Sequence, residues 1–184
     1  MPCFIYINEY PGIGKLTITL ELQKVSPGAK VFHNHLIIDP VAALVDCDSP
    51  EYHTIRTRPR RHVLDIIATS RATQGVSWIF TDSRSSDPIG SLAAQDYKLA
   101  AERRGAVFIP VILDCNLGEN LQKVVAATRT ATTKLTDPKL VQWIHQNEVM
   151  YRFGGKEELQ LDITEMTSSE VARRISQHVN RLCV

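Results

Sequence analysis

The sequence has no long hydrophobic run, no paired-cysteine motif and no excess of charge of either sign. Nothing in it approaches the roughly 18 consecutive apolar residues that suggest a membrane-crossing helix. The apolar run Phe4–Ile7 is too short for a secretion signal, and no basic segment precedes it. Cys3, Cys47, Cys115 and Cys183 are scattered and form no C-x-x-C pair. That spacing argues against a disulfide framework and predicts reduced thiols in a cytoplasmic protein. The formal net charge is only +1. No whole-surface field then draws in DNA, RNA or an anionic membrane, and any anion site must be local. No extended basic and aromatic surface suited to nucleic acid is evident either.

What is there is ordinary for a globular domain: 43% apolar and 22% charged residues in 184 positions. That length buries a sizeable core without disulfides or metals, so residues 1–184 read as a single domain. Phe4–Ile7 is an unbroken run of β-formers, as in a strand buried on both faces. It leads into the turn Pro11-Gly12-Ile13-Gly14, and a helix follows with Leu16, Leu20 and Val25 on one side. Ala29–Phe32, Val76–Thr81, Val107–Leu113 and Leu159–Ile163 read as four further strands. Between them, Asp39-Pro40 is expected to open a short helix, and 46–57 is expected to be loop. Pro59 to about Thr73 reads as a helix with Val63, Ile66, Ile67 and Ser70 at helical spacing. Asp87-Pro88 and Asp137-Pro138 are cap signatures, and Thr167–Glu170 is a capping box before Val171, Ile175, Val179 and Leu182. Alternating strands and helices imply a parallel sheet with helices on both faces.

The turn carries the chemistry. In the P-loop pattern G-x-x-x-x-G-K-[ST], the window Glu9–Leu16 keeps Gly14 and Lys15 but has Glu9 for the first glycine and Leu16 for the Ser/Thr. A glycine-rich turn lets successive amides point at phosphate oxygens. The following helix adds its free N–H groups, and Lys15 adds a mobile positive charge. Strand, turn and helix in that order give the loop its expected setting. Glu9 is expected to point away, because a carboxylate about 4 Å from a phosphate costs roughly 4 kcal/mol per charge pair at an effective dielectric near 20.

Asn8–Thr17 resembles the G-x-P-G-x-G-K-x-T loop of adenylate-kinase-like and shikimate-kinase-like P-loop kinases. With His33–Leu36, Asp39-Pro40, Trp78–Asp82 and Lys134–Pro138, it is similar to "AAA-type" P-loop proteins akin to chloramphenicol phosphotransferase, gluconate kinase and shikimate kinase. The resemblance implies a three-layer α/β P-loop NTPase fold, a five-stranded parallel sheet in the order 2-3-1-4-5, and a lid segment at about 115–138. It also implies ATP and Mg²⁺ as cofactors. Nucleotide would be held by Gly12, Ile13, Gly14, Lys15, Leu16 and Thr17. Leu16 cannot ligate Mg²⁺, so the metal would rest on phosphates, water, Thr17 or Asp82, the acidic residue that ends the third strand.

His33 and His35 share a face if extended, and His35 or Asp39 is a candidate general base. Arg56, Arg58, Arg60 and Arg61 form a basic cluster. Arg56 and Arg60 are expected to bind an anionic acceptor group, and Arg61 to pair with Asp65 along a helix. Arg129 in the lid is the candidate to stabilise charge on the transferred group, and Lys123 is expected to be an exposed helix charge. The expected function is transfer of the γ-phosphoryl group of ATP to a hydroxyl of a small-molecule acceptor. A nucleotide-binding regulator or a plain NTPase stands beside it. No nucleic acid or membrane partner is expected, and the chain is expected as a monomer or homodimer.

Overall fold

The computed structural model describes residues 1–126 and 137–183. Five strands form one parallel sheet: β1 (Cys3–Glu9), β2 (Lys30–His33), β3 (Trp78–Asp82), β4 (Val107–Asp114) and β5 (Leu159–Asp162). Their spatial order is β2-β3-β1-β4-β5, as expected. Around them lie α1 (Lys15–Lys24), α2 (His35–Ala42), α3 (Tyr52–Thr69), α4 (Pro88–Arg104), α5 (Leu117–Ala126), α6 (Pro138–Asn147) and α7 (Ser168–Leu182). The expected lid interval thus begins with α5, while residues 127–136, including Arg129, lie outside the described residues.

Side chains alternate across a strand, and here the alternation sorts them by shape. Ile5, Ile7, Ile79 and Val111 point to one face, where Ile18 and Leu22 of α1 and Val171 and Ile175 of α7 cover them. Phe4, Tyr6, Trp78 and Phe80 point to the other, against Leu64 and Ile67 of α3 and Tyr97 of α4. Tyr97 stacks at a tilt on Tyr6, 4.7 Å between ring centroids, and meets Phe80 edge-on at 5.2 Å.

Three helix starts follow their sequence signals. The Asp87 carboxylate accepts hydrogen bonds from the Ile89 and Gly90 amides, Asp137 accepts from the Lys139 amide, and Thr167 with Glu170 completes a capping box. Two starts do not. α2 begins at His35, with Pro40 inside it, so Asp39 is no cap. α3 begins at Tyr52, with Pro59 in its interior, so much of the expected loop is helix. Buried faces also shift. α1 buries Ile18 and Leu22 and leaves Leu20 and Val25 exposed. α3 buries Leu64 and Ile67 and leaves Ile66 exposed.

Candidate functional site

The turn after β1 sits at the carboxyl edge of the sheet. Gly12 and Gly14 have φ of 98° and 109°, conformations that favour glycine. A Cβ on Gly12 would lie 2.4 Å from Val124 Cγ2, so α5 presses directly on the turn. The buried Asn120 of α5 donates through Nδ2 to the Pro11 carbonyl at 3.2 Å. The same amide lies 2.7 Å from His145 Nε2, which accepts from it when the proton is on Nδ1. The His145 ring stacks on Tyr10 at 4.0 Å. Burial holds its imidazole below the ordinary value, with Asp114 opposing. Asn120 and His145 were not picked out from sequence, because they lie more than a hundred residues from the turn they support.

Glu9 does not point away. Its carboxylate is fully buried, and Oε1 accepts a hydrogen bond from the Lys15 amide at 3.0 Å while pairing with Lys15 Nζ at 3.1 Å. These are donors that such a loop offers to phosphate, so the side chain occupies the cradle as an internal anion. The turn delivers the Lys15 amide and ammonium to one point beyond the end of β1, and their attraction offsets part of the cost of burying the carboxylate. Burial still raises the Glu9 pKa above its ordinary value, against the lowering effect of Lys15 and Lys123. Oε2 has no hydrogen-bond partner among the described residues.

Beside the cradle lies a cavity of about 470 Å³, within the usual range for small-molecule sites. Gly12–Gly14 and the first turn of α1, including Thr17, form one wall. Ile163, Met166 and Thr167 of the β5–α7 connection, with Ser168 and Val171 of α7, form another, and Lys123 of α5 a third. Lys123 is therefore half-buried on the cavity rather than exposed. Thr167 and Ser168, read from sequence only as capping residues, also face this space.

On the other side of β1, parallel register places Asn8 beside Asp82. Asp82 is buried and bound on both oxygens, by Arg84 Nε at 2.8 Å, Arg56 Nη2 at 3.4 Å and the Tyr97 hydroxyl at 3.2 Å. Burial pushes its carboxyl up, but Arg84 and Arg56, helped by hydrogen bonds from Arg84 and the Ser83 amide, bring it down to about 2. Arg84 is the closer partner, and its guanidinium is raised accordingly. Arg56 is lowered, chiefly by burial. The position of Arg84, two residues past the acid ending a buried strand, was the available signal for it. Asp82, committed to two guanidiniums, does not fit a magnesium ligand. Among the described residues no cluster of three or more His, Cys, Asp or Glu is placed to hold a metal. A divalent ion would thus have to arrive on phosphates and water, with the Thr17 hydroxyl on the cavity wall among the protein oxygens within the site.

The remaining candidates divide. His33 and His35 do not share an extended face, because His35 starts α2; its Nδ1 lies 2.9 Å from Asp39 Oδ1 one turn on. That pair stands at the carboxyl end of β2. Arg60 is buried between α3 and α4 and is held by Asp96 at 2.7 Å, so it faces no acceptor. Arg61 also binds Asp96, at 3.0 Å, and Asp65 takes Arg103 at 2.6 Å in place of the expected pair within α3.

No protein-family model matches the sequence, and no curated protein does. Solved structures do match over nearly the whole chain. A gluconokinase from Sinorhizobium meliloti is 13% identical with a TM-score of 0.62, covering 98% of this chain and 93% of that one. A tunicamycin resistance protein from Deinococcus radiodurans is 16% identical with a TM-score of 0.58, covering 99% and 96%. An APS kinase from Mycobacterium tuberculosis, in complex with AMPPNP and APS, is 13% identical with a TM-score of 0.57, covering 97% and 98%. What these share with the chain at such identity is the fold.

Proposed function

We propose that this chain, which has the fold of the P-loop small-molecule kinases, binds a nucleoside triphosphate beside Gly12–Thr17 and transfers its terminal phosphoryl group to a small hydroxyl acceptor. One observation carries the proposal: a strand–turn–helix loop with left-handed Gly12 and Gly14 already grips an anion, next to a cavity of nucleoside size. Phosphoryl transfer asks a protein mainly for positioning and electrostatic stabilisation. Lys15 and the loop amides supply both once Glu9 has left. The His35–Asp39 pair at the end of β2 is the candidate base for the acceptor hydroxyl. Arg56, with its Nε unpartnered among the described residues, is the candidate to orient an anionic acceptor group. Arg129 keeps its proposed role from the resemblance alone.

A second reading is favoured by Glu9 in the cradle and by Asp82 tied to arginines: a nucleotide-binding protein that transfers nothing. ATP titration by calorimetry, with and without Mg²⁺, followed by turnover against a panel of hydroxyl compounds, separates the two. The kinase proposal expects binding and acceptor-dependent ADP release. Binding without turnover on any acceptor selects the second reading. No nucleotide binding by either the wild type or Glu9→Gln rejects both.

A further inference from the structure

We propose that Glu9 makes this site discriminate nucleotides by phosphate number: a nucleoside monophosphate enters with the carboxylate in place, whereas a di- or triphosphate must expel it. The inference rests on the nucleotide reading above and concerns the selectivity of the same site.

The argument is one of seats. In a phosphate loop the main-chain amides serve the α- and β-phosphates and the lysine reaches the β- and γ-phosphates, so the seat that an amide and the lysine share is the β-phosphate's. Here one oxygen, Glu9 Oε1, takes both the Lys15 amide and the Lys15 ammonium. The carboxylate is fully buried at the end of a central strand and is not a loose surface side chain. It therefore stands where the outer phosphates would go and repels them as a like charge. The adjoining cavity is a separate space that Glu9 does not line. Its walls offer apolar Ile163 and Met166, the hydroxyls of Thr17, Thr167 and Ser168, and the cation Lys123. That chemistry suits a nucleoside carrying one phosphate. The cost of removing Glu9 then falls on the second and third phosphates alone. The orphaned Oε2 makes that cost finite, because leaving the pocket lets this oxygen meet water.

The test is calorimetric affinity for AMP, ADP and ATP without Mg²⁺, measured on the wild type, Glu9→Gln and Glu9→Ala. Glu9→Gln keeps shape and an acceptor for the Lys15 amide. Glu9→Ala gives the second readout, and thermal unfolding checks the fold of each. The wild type is expected to bind AMP at least as tightly as ATP. Both substitutions are expected to tighten ATP about tenfold or more, equivalent to about 1.4 kcal/mol, and AMP by less than about threefold. Tighter ATP than AMP in the wild type, or an equal factor for both nucleotides, overturns the inference while the nucleotide site stands. No nucleotide binding by any of the three proteins overturns the site and the inference together.

Discussion

Lys15 neutralises a carboxylate that water does not reach, and this changes what its removal does. Taking one partner from a buried pair costs several kcal/mol, because the other charge is left uncompensated. Lys15→Ala is therefore expected to lose nucleotide affinity and also on the order of 3 kcal/mol of stability. Adding Glu9→Gln is expected to restore most of the stability, while the affinity that depends on the Lys15 ammonium stays lost. Urea unfolding of the four proteins in the cycle checks the first part and calorimetry the second; full additivity would mean the pair is not coupled. Asp82 is the other buried charge. Its folded value of about 2 lies below the ordinary 3.8, so between those values the folded chain binds fewer protons than the unfolded one. Stability then rises with pH across that window, and roughly 2 kcal/mol is lost as pH falls from about 4 to 2. Asp82→Asn is expected to remove that increment from the difference curve. At neutral pH it leaves Arg84 and Arg56 without their anion and destabilises the fold. An unchanged acid slope in the variant would refute the assignment.

At the scale of elements, the two internal prolines decide most of what differed from expectation. Pro40 and Pro59 each follow a residue pattern that reads as a helix beginning, yet α2 and α3 run through them. A proline inside a helix removes one hydrogen bond and crowds the preceding turn, a loss of about 3 kcal/mol in an isolated helix. Here tertiary contact overrides it: Tyr52, Ile37 and Val41 bury together ahead of Pro59, and Leu64 and Ile67 anchor the helix beyond it. Pro59→Ala is accordingly expected to stabilise the protein by about 1–2 kcal/mol, part of the helical gain being offset by greater freedom of the unfolded chain. Chemical denaturation measures it, and destabilisation would show that α3 depends on the proline ring. The strands were legible because Phe4–Ile7, Trp78–Thr81 and Ile109–Leu113 are buried on both faces and nearly uniform in character. Caps at Asp87, Asp137 and Thr167 were legible because their hydrogen bonds are local. The roles of Arg56 and Arg60 were not, since their partners Asp82 and Asp96 lie 26 and 36 residues away. Nor was the direction of Glu9, which depends on the path of four turn residues and on a pairing with Lys15 that offsets only part of the cost of burial.

Across the whole molecule, the sheet presents its carboxyl edge between two supports of different kinds. The α3–α4 side is locked by a buried ionic and aromatic cluster around Asp82 and Tyr97. On the α5–α6 side, by contrast, Asn120 reaches Pro11 while being held by His145, and the Gly12 contact with Val124 completes the clamp. A loop that must release Glu9 to take a polyphosphate is thus gripped from the helices that border residues 127–136. Movement of α5 and opening of the cradle should then be linked. Asn120→Ala breaks the bond to Pro11 and leaves His145 Nε2 without its donor. It is expected to cost about 1–2 kcal/mol of stability and to raise hydrogen exchange at the Gly12–Lys15 amides more than at β1. The same linkage carries a pH dependence. Burial lowers the His145 value below 6.5, so the folded chain binds fewer protons there and its stability rises with pH. The contribution is fully present above 6.5 and fades as pH falls through the folded value, when the protonated Nε2 can no longer accept from Asn120. Thermal unfolding of the wild type and His145→Gln from pH 7.5 to 5 should show the wild type losing more. Parallel curves would mean that His145 packs against Tyr10 without governing the loop.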